Sequence, residues 1–291
     1  MELGLSTYTF PWAFGVASMG YAANMSLVDL LHYAHQQGIG RVQVGDNFPL
    51  HLQFKTNCQH WAALAKDLGI QIEVGTRRLE VAHIQQYLKL AEIFEAPFIR
   101  VVIDDLGYKP DSSQIVKILN QLVPDLIAQK TILAIENHDR FSASMLQGFI
   151  ESSDADWVRI CLDTANSLGA NEGISTVMDY LAPYTINLHI KDFRIQRWPH
   201  LMGFRVEGCA AGQGILDIPA LLQQVAAYES CQSVTLELWS SPLTTKEDTL
   251  ENERQWAATS IGYLKKSLCD IYRTHKNKNS HDENFTHRSR R

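Results

Sequence analysis

The chain has 291 residues, 45% of them hydrophobic, and its 26 basic and 32 acidic side chains give a formal charge of −6. That length supports a sizeable core in one or two domains, and the negative balance argues against nucleic acid or an acidic membrane as a partner. No apolar run approaches the roughly 18 residues of a membrane span, and the N-terminal MELGLSTYTF lacks a signal-peptide pattern. The five cysteines are scattered, with no C-x-x-C pair, which fits a reducing cytoplasm better than a disulfide framework or a cysteine zinc site.

In chain order, the β-rich runs are ELGLST, RVQVGD, QIEVGT, FIRVVID, TILAIEN, VRICLDT, TINLHIKD and SVTLELW. Stretches with helical periodicity, such as SLVDLLHYAHQQG and HIQQYLKLAEIFEA, lie between them. Helix starts are expected after the capping residues Ser26, Asp111 and Asp217. Repeated strand-then-helix units favour a parallel sheet, and eight of them predict a single-domain α/β fold, a (β/α)8 TIM barrel over residues 1–268. The competing open doubly wound sheet would call for a glycine-rich first turn, which Ser6-Thr7-Tyr8-Thr9-Phe10-Pro11 does not supply. A last helix is expected from about Lys246 to Leu268. Residues 269–291 are polar and poor in aliphatics, and read as a disordered tail.

Four consecutive strands end on a ligand-type side chain: Glu136 on the fifth, Asp163 on the sixth, His189 on the seventh and Glu237 on the eighth. Strand alternation puts Ala134 with Glu136, Cys161 with Asp163, Asn187 with His189 and Thr235 with Glu237 on shared faces. In a closed barrel those strand ends form the rim where active sites sit. Taken singly, each carboxylate reads as a cap and the histidine as a core residue. Taken together, three carboxylates and one imidazole need a divalent cation to offset their repulsion. Without thiolates the set favours Mn²⁺, Mg²⁺ or Co²⁺, with Zn²⁺ also compatible.

The same four residues resemble the metal quartet of the xylose-isomerase-like barrels, a superfamily that includes sugar isomerases, ketose 3-epimerases and inosose-processing enzymes. The resemblance covers about residues 1–268. The segments GLSTYTFPWAFGV, IEVGTR, AIENHDRF, CLDTANSLGA, NLHIKDF and GFRVEGCAAGQGILDIP are most similar to the branch that contains 3-oxo-isoapionate decarboxylases of apiose breakdown. It implies that Glu136 and Glu237 flank the substrate, bind the metal and, in epimerases, also move protons. Many epimerases carry Asp-x-x-His on strand six, whereas here the run is Asp163-Thr164-Ala165-Asn166. Asn166 can hydrogen-bond a hydroxyl but does not exchange protons near neutral pH.

Around this centre, His138 shares the strand-five face of Glu136 and either reaches substrate or is satisfied in its loop. Glu73 contacts substrate hydroxyls or pairs with a neighbouring cation. Lys191 supplies a charge or a proton, and a long loop after strand seven brings Arg194 and Arg205 as candidate carboxylate clamps. Trp12, Trp198, Trp239, Phe48 and Phe193 are candidate walls. Gly208, Gly212 and Gly214 precede a helix start but match no phosphate-binding fingerprint, so an unphosphorylated substrate is expected.

The expected reaction is loss of CO₂ from a 3-oxo sugar acid, 3-oxo-isoapionate by resemblance, giving erythrulose through an enediolate stabilised by the metal. The alternative is a sugar or ketose isomerase or 3-epimerase that uses the same enediolate. An abasic-site nuclease would need more rim histidines and basic loops, and a catalytically dead barrel would have lost a ligand. The expected partners are a small unphosphorylated sugar-derived substrate and, as an option, further copies of the chain in a homo-oligomer.

Overall fold

The computed structural model describes residues 1–288, with side chains described to Arg273. All eight expected runs form strands. In chain order the strands are β1 (Glu2–Ser6), β2 (Arg41–Val44), β3 (Gln71–Arg77), β4 (Phe98–Val102), β5 (Ile132–Glu136), β6 (Val158–Asp163), β7 (Thr185–Ile190), β8 (Phe193–Arg197), β9 (Phe204–Gly208) and β10 (Ser233–Leu236). Strands β1 to β7 and β10 close into a parallel barrel in which β10 sits between β7 and β1. The helices are α1 (Pro11–Phe14), α2 (Leu27–Gln36), α3 (Lys55–Asp67), α4 (Val81–Phe94), α5 (Ser112–Gln129), α6 (Ala143–Glu151), α7 (Ile174–Leu181), α8 (Ile218–Ala226) and α9 (Lys246–Arg288).

The expected caps start their helices. Ser26 forms a reciprocal capping box with Asp29 on α2, Asp111 does the same with Gln114 on α5, and the Asp217 carboxylate accepts from the Ala220 N–H on α8. Each satisfies an N–H that the first helical turn leaves unpaired. Helix faces spaced three and four apart, such as Ile84, Leu88 and Ala91 on α4, pack on outward strand residues such as Val42, Ile72 and Val101 in one large core. A second, smaller cluster of Phe98, Ala134, Cys161 and Ile186 is separate from it and fills the barrel interior. Ala134 and Cys161 therefore point inward, and the two-residue strand period carries Glu136 and Asp163 inward at the rim.

Two segments differ from the expectation. What reads as a long loop after strand seven is the antiparallel β8–β9 hairpin, with Ile195 opposite Val206. The last helix also runs past Leu268, and the Tyr272 hydroxyl accepts from the Met1 amino group at 2.9 Å. Of the expected tail, side chains beyond Arg273 and all of residues 289–291 lie outside the described residues. Among the described residues no helix is long and apolar enough to cross a membrane.

Helix α9 also anchors the loop after β1. Its Glu253 is fully buried, and the carboxylate accepts from the N–H groups of Trp12 at 2.8 Å and Ala13 at 3.1 Å. Burial pushes this carboxyl from 4.5 up to about 7 in spite of those bonds. The native state thus holds the proton more tightly than the unfolded chain. The associated stability is fully present below about pH 4.5 and is lost as the pH rises through 7. The advantage of the wild type over Glu253→Gln should shrink by about 3 kcal/mol between pH 4 and 8. Urea unfolding of both proteins across that range checks it, and a pH-independent difference would contradict it.

Candidate metal centre

At the C-terminal rim, Glu136, Asp163, His189 and Glu237 converge. His189 Nδ1 lies 3.6 Å from Glu136 Oε2, 3.8 Å from Asp163 Oδ2 and 3.4 Å from Glu237 Oε1, and all four residues are buried. Asp163, His189 and Glu237 bring one ligand atom each to within 4.8 Å of one another, and Glu136 joins His189 in a second such group with Cys161, spacings compatible with ligands about 2.0–2.6 Å from a shared ion.

The surroundings aim each ligand. The Asn137 amide donates to the Asp163 carbonyl oxygen at 2.9 Å and accepts from its N–H at 2.6 Å, tying the end of β5 to that of β6. Asp163 Oδ1 accepts from the N–H groups of Ala165 and Asn166, both at 2.8 Å, so Oδ2 is left facing the centre. Ser6 donates to Glu237 Oε1 at 3.0 Å. Glu136 is held from both sides: Asn166 Nδ2 donates to Oε1 at 2.7 Å, and Arg100 Nε donates to Oε2.

Arg100 and its partners are the part of the site that sequence reasoning missed. Its guanidinium also donates to Asp46 at 2.6 Å, and Asp46 in turn accepts from the Tyr8 hydroxyl at 3.0 Å. Gly75, opposite Arg100 on β3, makes room for this side chain, because a Cβ there would stand 3.4 Å from Arg100 Cδ and 3.0 Å from the Val44 carbonyl. Arg100 is buried, yet Glu136 and Asp46 hold its pKa well above the ordinary arginine value. The Lys191 ammonium lies 3.1 Å from Asp163 Oδ2 and 2.9 Å from Glu237 Oε2. Burial works against its charge, but Asp163 and Glu237 outweigh it and raise its pKa well above the usual lysine range. Burial likewise opposes the charged form of Glu237, and His189 and Lys191 overcome it to hold that carboxyl well below its usual range.

The donor set fits a divalent cation. Asp163 Oδ2, His189 Nδ1 and Glu237 Oε2 are buried without a hydrogen-bond partner, an arrangement that is costly unless another group completes it. Two of these oxygens do lie within ion-pair distance of Lys191, which leaves His189 Nδ1 without any hydrogen-bond donor or acceptor. Four carboxylates, those of Asp46, Glu136, Asp163 and Glu237, face the two cations Arg100 and Lys191. A divalent ion would offset the excess of negative charge around the quartet.

Two cavities of about 350 and 370 Å³ flank the centre. The first lies against Glu136, Arg77, His138 and Arg140, and the second against Asn166, Lys191, Val206 and Trp239. A larger cavity, about 1220 Å³, opens instead where the strands begin, against Gly40, Ile70 and Phe94. No three metal-ligating groups converge there among the described residues, whereas two such groups lie at the rim.

His138 lines the first cavity, Lys191 contacts Asp163 and Glu237, and Asn166 hydrogen-bonds Glu136. Three expected substrate contacts lie elsewhere. Glu73 is sealed in the barrel interior, accepting from Arg41 at 3.3 Å and Gln43 at 3.2 Å, so pairing is what it does. Arg194 and Arg205 sit on the hairpin face opposite Val206, the residue that meets the cavity, and donate to Gln213 and Gln196. Strand alternation in the hairpin turns them away. Of the expected walls, Trp239 lines the cavity with Phe193 behind it, while Phe48 packs between Phe14 and Trp61. Trp12 is buried with its indole on the Ser240 carbonyl, and Trp198 stacks on His200 in the hairpin turn. The glycine loop is an anion cradle already filled: the N–H groups of Gly212 and Gly214 donate to Asp192 at 2.9 and 2.8 Å. A Cβ on Gly214 would collide with that carboxylate.

A parallel barrel with carboxylates and a histidine gathered at its C-terminal rim has the plan of a barrel enzyme. The chain belongs to the xylose isomerase-like TIM barrel family, whose pattern matches residues 31–267. It is 30% identical over 264 residues to 3-oxo-isoapionate decarboxylase of Pectobacterium atrosepticum, covering 91% of this chain and 95% of that one. It shares its fold with D-psicose 3-epimerase of Clostridium cellulolyticum (TM-score 0.70, 14% identity, 93% and 99% of the two chains). A xylose isomerase-like TIM barrel protein of Mycobacterium smegmatis in complex with magnesium is also similar (TM-score 0.65, 14% identity, 90% and 97%).

The purified protein should bind Mn²⁺ with one ion per chain, and Asp163→Asn or Glu237→Gln should weaken that binding by about 100-fold or more. Titration calorimetry reads this directly. A chelator should abolish turnover and leave the far-ultraviolet circular dichroism unchanged, because the barrel core forms without the ion. Loss of helix and strand signal would make the ion structural instead.

Proposed function

We propose that the protein is a divalent-metal-dependent decarboxylase of a 3-oxo sugar acid, converting 3-oxo-isoapionate to L-erythrulose and CO₂ with Mn²⁺, Mg²⁺ or Co²⁺ held by Glu136, Asp163, His189 and Glu237. The observation that carries this reading is the clamp on Glu136. An isomerase or epimerase must pull a proton from carbon with mobile bases on the reacting faces. Here Glu136 is gripped by Arg100 and Asn166, and Asn166 stands where a proton-exchanging histidine would be needed. Loss of CO₂ requires no such base. The similarity to 3-oxo-isoapionate decarboxylase along most of both chains supports the same reaction.

When bound, the cation supplies Lewis-acid stabilisation of negative charge on the substrate's vicinal oxygens. The protein side chains do the rest. Arg77 ends β3 on the same inward face as Glu73 and Gly75, and lines the cavity beside Glu136. Its one hydrogen bond is Nε to the Asp104 carbonyl at 3.3 Å, and its nearest carboxylates stand at 3.8 and 3.9 Å. That leaves the guanidinium fork free for the substrate carboxylate, the role expected of Arg194 or Arg205. The bond between the carboxylate and the neighbouring carbon breaks, its electron pair enters the enediolate, and CO₂ departs. Lys191, protonated and lining the second cavity across the quartet from Arg77, then delivers a proton to that carbon. The filled glycine cradle supports an unphosphorylated substrate.

In D₂O, one solvent deuteron should enter the product for each CO₂ released, and ordinary ketoses should not exchange. Interconversion and deuterium exchange of ketoses, with 3-oxo acids untouched, would replace this reading with the isomerase or epimerase alternative. Arg77→Met should raise KM for the acid about tenfold or more while Mn²⁺ affinity stays unchanged, since a charge-assisted hydrogen bond contributes about 1.5–3 kcal/mol. An unaltered KM would exclude Arg77 as the anchor.

A further inference from the structure

Beneath the centre, a chain of polar groups crosses the barrel interior with its direction fixed at one end. Burial raises the Glu73 pKa, but Arg41 Nη1 donates to its Oε1 at 3.3 Å and supports the ionised, accepting form; Gln43 Nε2 then donates to Oε2 at 3.2 Å. The same Nε2 lies 3.0 Å from Asn187 Oδ1, which is therefore an acceptor. The other half of the Asn187 amide agrees, with Nδ2 donating to Ser233 Oγ at 2.7 Å and Thr235 Oγ1 at 2.9 Å. Cys161 Sγ lies 3.1 Å from Asn187 Oδ1, and two acceptors cannot share that contact, so the thiol S–H points to Asn187. The sulfur lone pairs are left to face His189 Nε2 at 3.2 Å.

We infer that Cys161 is a positioning residue for the metal centre: its sulfur accepts the Nε2–H of His189 and so keeps Nδ1 bare as the ligand atom. Nδ1 is the ring nitrogen that faces the three carboxylates and has no hydrogen-bond partner. Ligand histidines commonly donate their other N–H to a carboxylate or carbonyl, and here a buried thiol takes that place. The inference rests on the metal reading alone and holds for either reaction.

The test compares wild type with Cys161→Ser, Cys161→Ala and Cys161→Val, with circular dichroism reporting folding. Serine keeps a group that both donates and accepts, whereas valine fills the space without either. Mn²⁺ affinity, read by calorimetry, should stay within about threefold of wild type in the serine variant. It should fall about 10- to 100-fold in the alanine and valine variants, the range seen when an outer partner of a ligand is removed. Long-range ¹H–¹⁵N spectra of the metal-free proteins, recorded at a pH where the ring is neutral, should show His189 protonated at Nε2 in wild type and the serine variant, and mixed tautomers in the valine variant. Equal affinity and the same tautomer in all four proteins would overturn the inference. A wild type that binds no Mn²⁺ would remove the metal centre itself, whereas a wild type that binds Mn²⁺ but releases no CO₂ would count only against the proposed reaction.

Discussion

Mutual repulsion among the carboxylates of Glu136, Asp163 and Glu237 is the constraint around which the rest of the rim is built. Each is buried, and an isolated buried carboxylate costs several kcal/mol or takes up a proton. The protein answers with charge and with direction. Arg100 enters from β4 and Lys191 from the end of β7, one on either side of the quartet. Asn137, Ser6 and the backbone after Asp163 consume lone pairs selectively, so the oxygens left over converge on one point. The apolar run that ends in Glu136 makes sense on these grounds, since the amide beside it fixes the neighbouring strand end.

Most of the fold was legible because strands, helices and caps are local. The period of two in ILAIE or RICLD and the Ser26, Asp111 and Asp217 caps are written in adjacent residues. The quartet was legible because ligand-type residues recur at four successive strand ends. Arg100 was not, since in FIRVV a lone arginine reads as the solvent-facing member of an alternating strand. Only closure of the barrel, with Glu136 and Asp46 brought to it, shows that it points inward. Asp46 and Tyr8 lie beyond strand ends, where chain position says little about direction. The hairpin arginines failed for a related reason. Their number and placement suggested a clamp, but the facing of Arg194 and Arg205 depends on the β8–β9 register, which the chain states weakly.

The quartet also divides the rim into two unlike compartments. On the β3–β5 side the cavity wall includes Arg77 and the half-exposed His138. On the β6–β7 side it offers Lys191, Asn166 and the ring of Trp239. A reaction that expels an anionic group and then accepts a proton at the same carbon benefits from that separation. The cation that holds the leaving carboxylate is then not the one that delivers the proton, and neither has to change its charge at the moment of bond breaking. Epimerisation asks for the opposite, two exchangeable groups of similar basicity, and the fixed pairing of Glu136 works against it.

The barrel interior extends the same logic downward. A wholly apolar filling beneath the quartet would leave the His189 ring free to choose between two tautomers, only one of which puts a lone pair among the carboxylates. The polar thread from Glu73 through Gln43 and Asn187 to Cys161 is expensive in desolvation, and Arg41 must accompany it to pair Glu73. Its return is directional. With Glu73 ionised and paired to Arg41, each group along it takes its donor or acceptor sense from the one before, up to the thiol that faces His189. Buried polar groups that look like a cost to the core thus give the His189 ring an orientation suited to a ligand.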